Sequence, residues 1–170
     1  MNTLYPIRTN TPTKTPQHGF TLLEILIALL ILSVGLLGLA GLQVNGLHSN
    51  QDSYFLTQAM AQAYDMADRI RANMVGYTAG KYDNIDTTTP TDPGCIATGC
   101  SSDNMAVYDH YQWNTANANV LPNGKGTVTT SGNTRIITVM WDQLRNGATG
   151  TTCGGDPVHD LTCFKTSFQP

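Results

Sequence analysis

The sequence predicts an α+β protein in which a long N-terminal helix packs against a small antiparallel sheet. Three observations lead to this fold class: an apolar stretch over residues 20–42, an amphipathic helical pattern that follows without a break, and strand patterns confined to the C-terminal third. At 170 residues the chain accommodates one ordinary domain plus an anchor, and it is too short for two ordinary domains.

The apolar stretch contains one charged side chain. Over the 23 residues from Phe20 to Leu42 only Glu24 is charged, and it is the only glutamate in the protein. As a helix this stretch is about 34 Å long, enough to cross the hydrocarbon core of a bilayer. A carboxylate at mid-span costs roughly 2.5–3.5 kcal/mol on insertion scales, so Glu24 is predicted to be functional and to need a cationic partner.

The charges on either side of this stretch differ in sign. From residue 43 onward there are 11 Asp and 7 Lys plus Arg, a net charge of −4, whereas the first 19 residues carry Arg8 and Lys14 and no acid. The positive-inside tendency therefore predicts a cytoplasmic N-terminus and an exported C-terminal part. An acidic exported part disfavours non-specific nucleic-acid binding, which requires neutralisation of phosphates.

A secretory signal peptide is the simpler alternative for this N-terminus, with Gly38-Leu39-Ala40 as a weak cleavage site. The apolar run is too long for a signal peptide and contains a glutamate. An amphipathic helix also follows it without interruption, so an uncleaved span is favoured.

The pattern after the span predicts that a single helix extends from Phe20 to Met74, with Gly76 and Gly80 as stops. Asp65 and Arg69 have the spacing of an i,i+4 ion pair. Apolar residues recur at three- and four-residue steps and are expected in the protein core rather than at a cofactor: Leu56, Ala59, Met60, Ala63, Met66, Ala67, Ile70 and Met74.

The remainder of the chain predicts a loop, a helix and three strands. Residues 81–99 have turn composition, Ser101-Ser102-Asp103 can cap a short helix that ends before Pro122, and Ser131-Gly132-Asn133 joins two strands in a hairpin. These strands are expected at residues 127–130 and 135–141, and a third at residues 161–168.

The four cysteines all follow the span, which favours disulfides in an oxidising compartment. Three pairings are possible. We favour Cys95 with Cys100 and Cys153 with Cys163, because each pair brackets a short segment near turn residues.

Nothing in the sequence indicates catalysis, a metal or a cofactor, and we expect a protein that is not an enzyme. Asp109-His110 and His159-Asp160 are adjacent residues whose side chains should diverge. The loop aspartates Asp83, Asp86 and Asp92 do not form a regular calcium loop. Four aromatic residues could form a binding patch but are favoured as core: Tyr108, Tyr111, Trp113 and Trp141.

The run Gly19-Phe20-Thr21-Leu22-Leu23-Glu24 resembles the cleavage and assembly motif of type IV pilins and their relatives. The resemblance implies cleavage between Gly19 and Phe20 by the prepilin peptidase, N-methylation of Phe20, and roles for Thr21 and Glu24 in subunit assembly. The new amine of Phe20 would be the cationic partner that Glu24 needs, supplied by a neighbouring subunit. The chain departs from the family pattern at His18, where Lys or Arg is usual.

The whole chain is similar to the minor-pilin group called PilV, or type IV pilus modification protein. The residues that carry this similarity are 68–73, Pro93-Gly94-Cys95 with Cys100, 121–126, 139–142 and 168–170. It implies a minor subunit that takes part in initiating or modifying pilus assembly, with twitching motility and cell adhesion as associated roles. A pseudopilin of a type II secretion system and a membrane-anchored periplasmic binding domain are the alternatives.

These expectations divide the chain into four segments: a prepilin leader at 1–19, a transmembrane and assembly helix at 20–42, its amphipathic continuation at 43–75, and a disulfide-stapled head at 76–170. The resemblance implies residence in the bacterial inner membrane with the head in the periplasm, followed by transfer to the pilus on the cell surface. The implied partners are other minor and major pilins, the prepilin peptidase and methyltransferase, and the inner membrane.

Overall fold

The computed structural model describes residues 19–169, apart from the side chain of Thr98, and it confirms the predicted α+β fold with a long N-terminal helix. The predicted leader, with Arg8, Lys14 and His18, lies almost wholly outside the described residues. The described part divides into two compact units, with the boundary between Asn45 and Gly46. The elements in chain order are α1 Leu22–Ala72, α2 Met74–Thr78, β1 Asn84–Ile85, α3 Cys95–Thr98, α4 Ser102–Val120, β2 Lys125–Ser131, β3 Thr134–Trp141 and β4 Thr162–Phe168.

The long helix ends two residues earlier than predicted. Helix α1 stops at Ala72, and the side chain of Asn73 accepts a hydrogen bond of 3.1 Å from the N–H of Gly76 and so caps α2. Gly76 therefore lies inside α2 and does not stop a helix. Gly80 does follow the end of α2 and adopts a positive φ of 72°, a conformation in which glycine meets no steric penalty.

The buried face of α1 is narrower than the sequence pattern predicted. Two predicted core residues, Leu56 and Met74, are exposed: the core stripe of α1 begins one position earlier than predicted, at Phe55, and Met74 lies beyond the end of α1, in α2. A shift of one residue on a helix turns a side chain by about 100°, which carries Leu56 away from the head. The buried side chains of α1 are Phe55, Ala59, Ala63, Met66, Ala67 and Ile70.

The sheet has the antiparallel order β1-β2-β3-β4. The predicted hairpin is confirmed: Ser131 pairs with Thr134 around the turn Gly132-Asn133. Strand β4 confirms the third predicted strand. The predicted loop at 81–99 is wrong in two places, because it contains β1, which pairs with β2, and the short helix α3.

Helix α4 contacts both α1 and the sheet. The indole of Trp113 is fully buried and donates a hydrogen bond of 2.8 Å to the backbone carbonyl of Gln62 on α1. A Cβ placed at Gly126 on β2 would overlap the Trp113 ring, so only glycine fits against it. The amide of Asn114 is also buried, and its Oδ1 accepts a hydrogen bond of 2.8 Å from the N–H of Gly126.

A second, smaller core lies on the face of the sheet away from this helix layer. It consists of Met140 from β3 with Ala148 and Leu161 from the connection between β3 and β4, and Cys153 and Cys163 pack against it. Both faces of β3 are therefore covered along its second half, which explains the continuous burial from Ile137 to Trp141. The connection is thereby held on the sheet.

Candidate functional site

The start of α1 is capped by Thr21. Its Oγ1 accepts a hydrogen bond of 3.2 Å from the N–H of Glu24, and its carbonyl accepts the N–H of Glu24 at 3.1 Å and that of Ile25 at 3.3 Å. The pattern Thr-x-x-Glu is the sequence signature of a capping box. The role of Thr21 in assembly rests on resemblance alone, whereas this cap, which was not predicted, could have been found from the Thr-x-x-Glu pattern.

The Glu24 side chain lies in the first turn of α1, where the helix dipole favours negative charge. Within residues 19–169 its carboxylate forms no hydrogen bond or ion pair. It borders an apolar groove of about 430 Å³ that is lined by Phe20, Ile25, Ala28, Leu29 and Leu32. A carboxylate in this setting requires a cation once water is excluded.

The helix around Glu24 is exposed on every side. Residues 19–50 are all exposed, including Phe20 at 80%. Among the described residues, α1 is the one helix long and apolar enough to cross a membrane. A surface as apolar as this one is stable only against lipid or other protein.

The glycines of the N-terminal unit are not required by packing within the described part of the chain. A Cβ at Gly19, Gly35, Gly38 or Gly41 would meet no atom within 4 Å, and none of the four has a positive φ. Small residues on an apolar helix allow other helices to approach closely, so these positions are open to contacts with lipid or with further helices. For Gly19 the same geometry means that packing among residues 19–169 does not require glycine.

The acid and histidine pairs of the head are separated, as predicted. Asp109 accepts hydrogen bonds from the Tyr82 hydroxyl and, at 3.4 Å, from Arg69 Nη1, whereas His110 contacts the backbone carbonyl of Asp86 at 3.2 Å. In the C-terminal connection His159 pairs with Asp156 at 2.8 Å, and Asp160 accepts a 2.7 Å hydrogen bond from Thr152. Neither pair forms an acid–base couple.

The group formed by Tyr82, Asp109 and Arg69 joins three parts of the head. Burial and the hydrogen bond to Asp109 raise the pKa of Tyr82 well above its ordinary value. Burial acts to lower the pKa of Arg69, but its bond to Asp65 at 2.7 Å and the charge of Asp109 outweigh burial and raise it. The predicted ion pair between Asp65 and Arg69 is confirmed.

Replacing Tyr82 by Phe should destabilise the head by about 1–3 kcal/mol at neutral pH, because Asp109 would lose a donor in a buried site. The folded-state pKa of Tyr82 is raised above the ordinary value of 10.0. The contribution of the Tyr82 hydroxyl to the free energy of unfolding is therefore complete below about pH 10, and it is lost as the pH rises towards the folded-state pKa. Thermal unfolding followed by circular dichroism should give a difference between wild type and Tyr82→Phe that is constant up to pH 10 and shrinks above it. A constant difference at all pH values would contradict this account.

The loop aspartates have structural partners. Asp83 pairs with Arg135, and the N–H of Gly94 donates to Asp92 at 2.8 Å. The hydroxyl and N–H of Thr88 bind Asp86 and lower its pKa. Across residues 19–169 no three His, Cys, Asp or Glu side chains come together in a way that could hold a metal ion.

The aromatic residues considered as a binding patch are mainly core residues. Trp113 and Trp141 are buried, Tyr108 is at the limit of burial and Tyr111 is half-buried. The indole of Trp141 also donates to the side chain of Gln143, which in turn donates to Asp52 on α1. These contacts satisfy the ring nitrogen of Trp141, and the burial of the four residues agrees with the favoured prediction of core or partial core.

The cysteines are paired as the sequence favoured. One disulfide joins Cys95 and Cys100 around α3, and the other joins Cys153 and Cys163. The first closes the loop before α4, and the second attaches the connection after β3 to strand β4. Both therefore hold segments that contain little regular structure.

The fold and the exposed N-terminal helix define a class of protein. In this class the apolar first part of a long helix contacts lipid or other proteins, and the second part of the same helix belongs to a small α+β head. Residues 14–40 match the family model of the prokaryotic N-terminal methylation motif, and residues 41–111 match the model described as type IV pilin Tt1218. No curated protein and no solved structure matches the chain.

Over residues 14–111 the chain is therefore similar to type IV pilins that carry the N-terminal methylation motif. This similarity implies partners in a pilus filament, processing by a prepilin peptidase and anchoring by the apolar helix.

Proposed function

We propose that this protein is a minor pilin that takes part in initiating or modifying type IV pilus assembly. A peptidase removes the leader between Gly19 and Phe20, Phe20 is N-methylated, and the mature subunit enters the filament through α1. The observation that carries the proposal is the lone carboxylate of Glu24, five residues after Gly19, within a segment that matches the methylation motif.

The charge on Glu24 defines what its partner must be. Cleavage creates an α-amino cation at Phe20, and methylation leaves that cation in place. Within one chain the carboxylate has no described partner, so the amine of a neighbouring subunit is proposed to supply it. Removing one partner of a buried ion pair costs about 3–5 kcal/mol, which is enough to select one axial register of packed subunits.

The domain organisation follows from the same proposal. Residues 20–42 are the membrane and assembly segment, residues 43–75 continue the helix, and residues 76–170 form the head. Before assembly the N-terminus is proposed to be cytoplasmic and the head periplasmic, as the charge asymmetry favours.

The similarity to the PilV group supports the minor-pilin role, and the match of residues 41–111 to a type IV pilin model supports a pilus over a secretion pseudopilus. The protein should be recovered from surface pili sheared off the source cells, and its deletion should reduce pilus number. A secretion defect with normal pili would instead assign it to a type II secretion system.

Replacing Gly19 by Trp should leave the precursor uncut, whereas Gly19→Ala should still be processed. The space around Gly19 is open, so a loss of processing cannot arise from a clash within the described chain. Intact mass spectrometry of the membrane fraction measures the result directly, because processing removes residues 1–19. Mature protein that starts at a residue other than Phe20 would refute the assigned cleavage site.

A further inference from the structure

Strand β4 forms an open edge of the sheet. It is the last strand in the order β1-β2-β3-β4 and is seven residues long, whereas β1 at the opposite edge has two residues. Among residues 19–169, no group outside β3 forms a hydrogen bond with the backbone of β4. Its seven pairs with β3 are consecutive, so no bulge turns the edge away. An edge of this length can accept another strand.

The register of the hairpin shows which backbone groups face outward. Ser131 and Thr134 close a two-residue turn, and residues that close such a turn exchange both backbone hydrogen bonds. Because this pattern alternates along a strand, the backbone N–H and C=O groups of Arg135 on β3 point towards β4. The backbone groups of every second residue after Arg135 do the same. Their partners on β4 are Phe168, Thr166, Phe164 and Thr162. The N–H and C=O groups that face away from the sheet therefore belong to Cys163, Lys165 and Ser167.

Lys165 stands at the centre of this edge. It is exposed, and it forms no ion pair or hydrogen bond with any described residue. A second copy that paired antiparallel along all seven residues of β4 would place the two Lys165 side chains directly opposite each other, which is unfavourable. An acidic side chain at that position is favourable. The charge therefore selects a different partner over a second copy of β4.

A cavity lies beside the same edge. It has a volume of about 470 Å³ and is lined by Thr162, Cys163 and Lys165 from β4, and by Asp156, Pro157 and Asp160 from the disulfide-bonded connection. Strand addition draws its affinity from backbone hydrogen bonds and its specificity from sites for alternate side chains. The edge of β4 thus offers both unpaired backbone groups and a cavity that can accept a side chain.

We propose that the outer edge of β4 binds an extended segment of another exported protein as a fifth, antiparallel strand, with a carboxylate of that segment opposite Lys165. The added strand bonds to the outward groups of Cys163, Lys165 and Ser167, and one of its side chains enters the adjoining cavity. This binding requires only the folded head, so it is independent of cleavage at Gly19 and of incorporation into a filament.

The test uses the full-length protein in detergent micelles and two labelled heptapeptides, Ac-Thr-Val-Thr-Asp-Thr-Val-Thr-NH2 and its counterpart with Lys at the centre. Fluorescence anisotropy should show about fivefold tighter binding of the Asp peptide. In Lys165→Glu the preference should reverse. N-methylation of the Asp peptide at its second, fourth and sixth residues, which face β4, should abolish binding, whereas N-methylation at the third and fifth should not.

Two proline variants distinguish an effect on peptide binding at the β4 edge from an effect on the stability of the head. Ser167→Pro removes an outward N–H and should weaken peptide binding at least about tenfold while circular dichroism stays unchanged. Thr166→Pro removes a hydrogen bond to β3 and should destabilise the head instead. The proposal is overturned if the wild type binds neither peptide at concentrations on the order of 1 mM. It is also overturned if both N-methylated peptides bind equally well.

Discussion

Cells that carry Glu24→Ala should produce processed, membrane-inserted protein that is absent from their pili. Removing the carboxylate relieves an insertion cost, which reaches roughly 2.5–3.5 kcal/mol at mid-span and is smaller near a helix end, so insertion should not decrease. In the filament the amine of a neighbouring subunit would be left without its partner, at a cost of about 3–5 kcal/mol. Incorporation should fall at least about a hundredfold, because each 1.4 kcal/mol is a factor of ten.

Two matched variants test whether charge is the cause. Glu24→Gln keeps the size of the side chain and removes its charge, and it should fail as Glu24→Ala does. Ser33→Ala, on the same exposed helix, removes a hydroxyl that only contacts the Leu30 carbonyl and should assemble normally. The measurement is the ratio of this protein in sheared pili to that in membranes. Normal incorporation of Glu24→Gln would show that the ion pair does not drive assembly.

The largest effect on stability is expected for Trp113→Ala, which should lower the free energy of unfolding by about 3–5 kcal/mol. The ring is fully buried between α1, α4 and β2, and the substitution also leaves the Gln62 carbonyl without its donor. Val107→Ala, on the same helix at a site with 40% exposure, should cost less than about 1 kcal/mol. Chemical denaturation followed by near-ultraviolet circular dichroism gives both values.

The contact between Trp113 and Gly126 can be isolated with a double-mutant cycle. Gly126→Ala alone should be strongly destabilising, because the added Cβ overlaps the indole ring. In the Trp113→Ala background the ring is gone, so the same substitution should cost clearly less. Equal costs in the two backgrounds would show that Gly126 is required for another reason.

Local patterns were sufficient for most of the secondary structure. The hairpin, the third strand and the cap of α4 at Ser101 rest on turn residues and on alternation within a few positions, and the structure has all three. Strand β1 could not be found in this way, because two residues carry no periodicity. Ile85 is a buried strand residue only because Val128 of β2 lies beside it.

In the candidate site, too, features formed by neighbouring residues could be predicted, whereas contacts between distant residues could not. The motif from Gly19 to Glu24 is contiguous, so it could be found in the sequence, and so could the spacing of Asp65 and Arg69. The contacts of Asp109 with Tyr82 and of Trp113 with Gln62 join residues that are 27 and 51 positions apart. No local pattern encodes such contacts, and the open edge of β4 likewise depends on the order of strands in the finished sheet.

By itself, the sequence determined that this protein has an apolar N-terminal helix with one carboxylate in its first turn, because composition and helical geometry act over neighbouring residues. The tertiary structure alone decided which face of that helix the head covers, why Gly126 must be glycine, and which backbone groups of β4 stay unpaired. These features depend on steric fit and hydrogen bonds between distant segments, and such interactions exist only once the segments have packed.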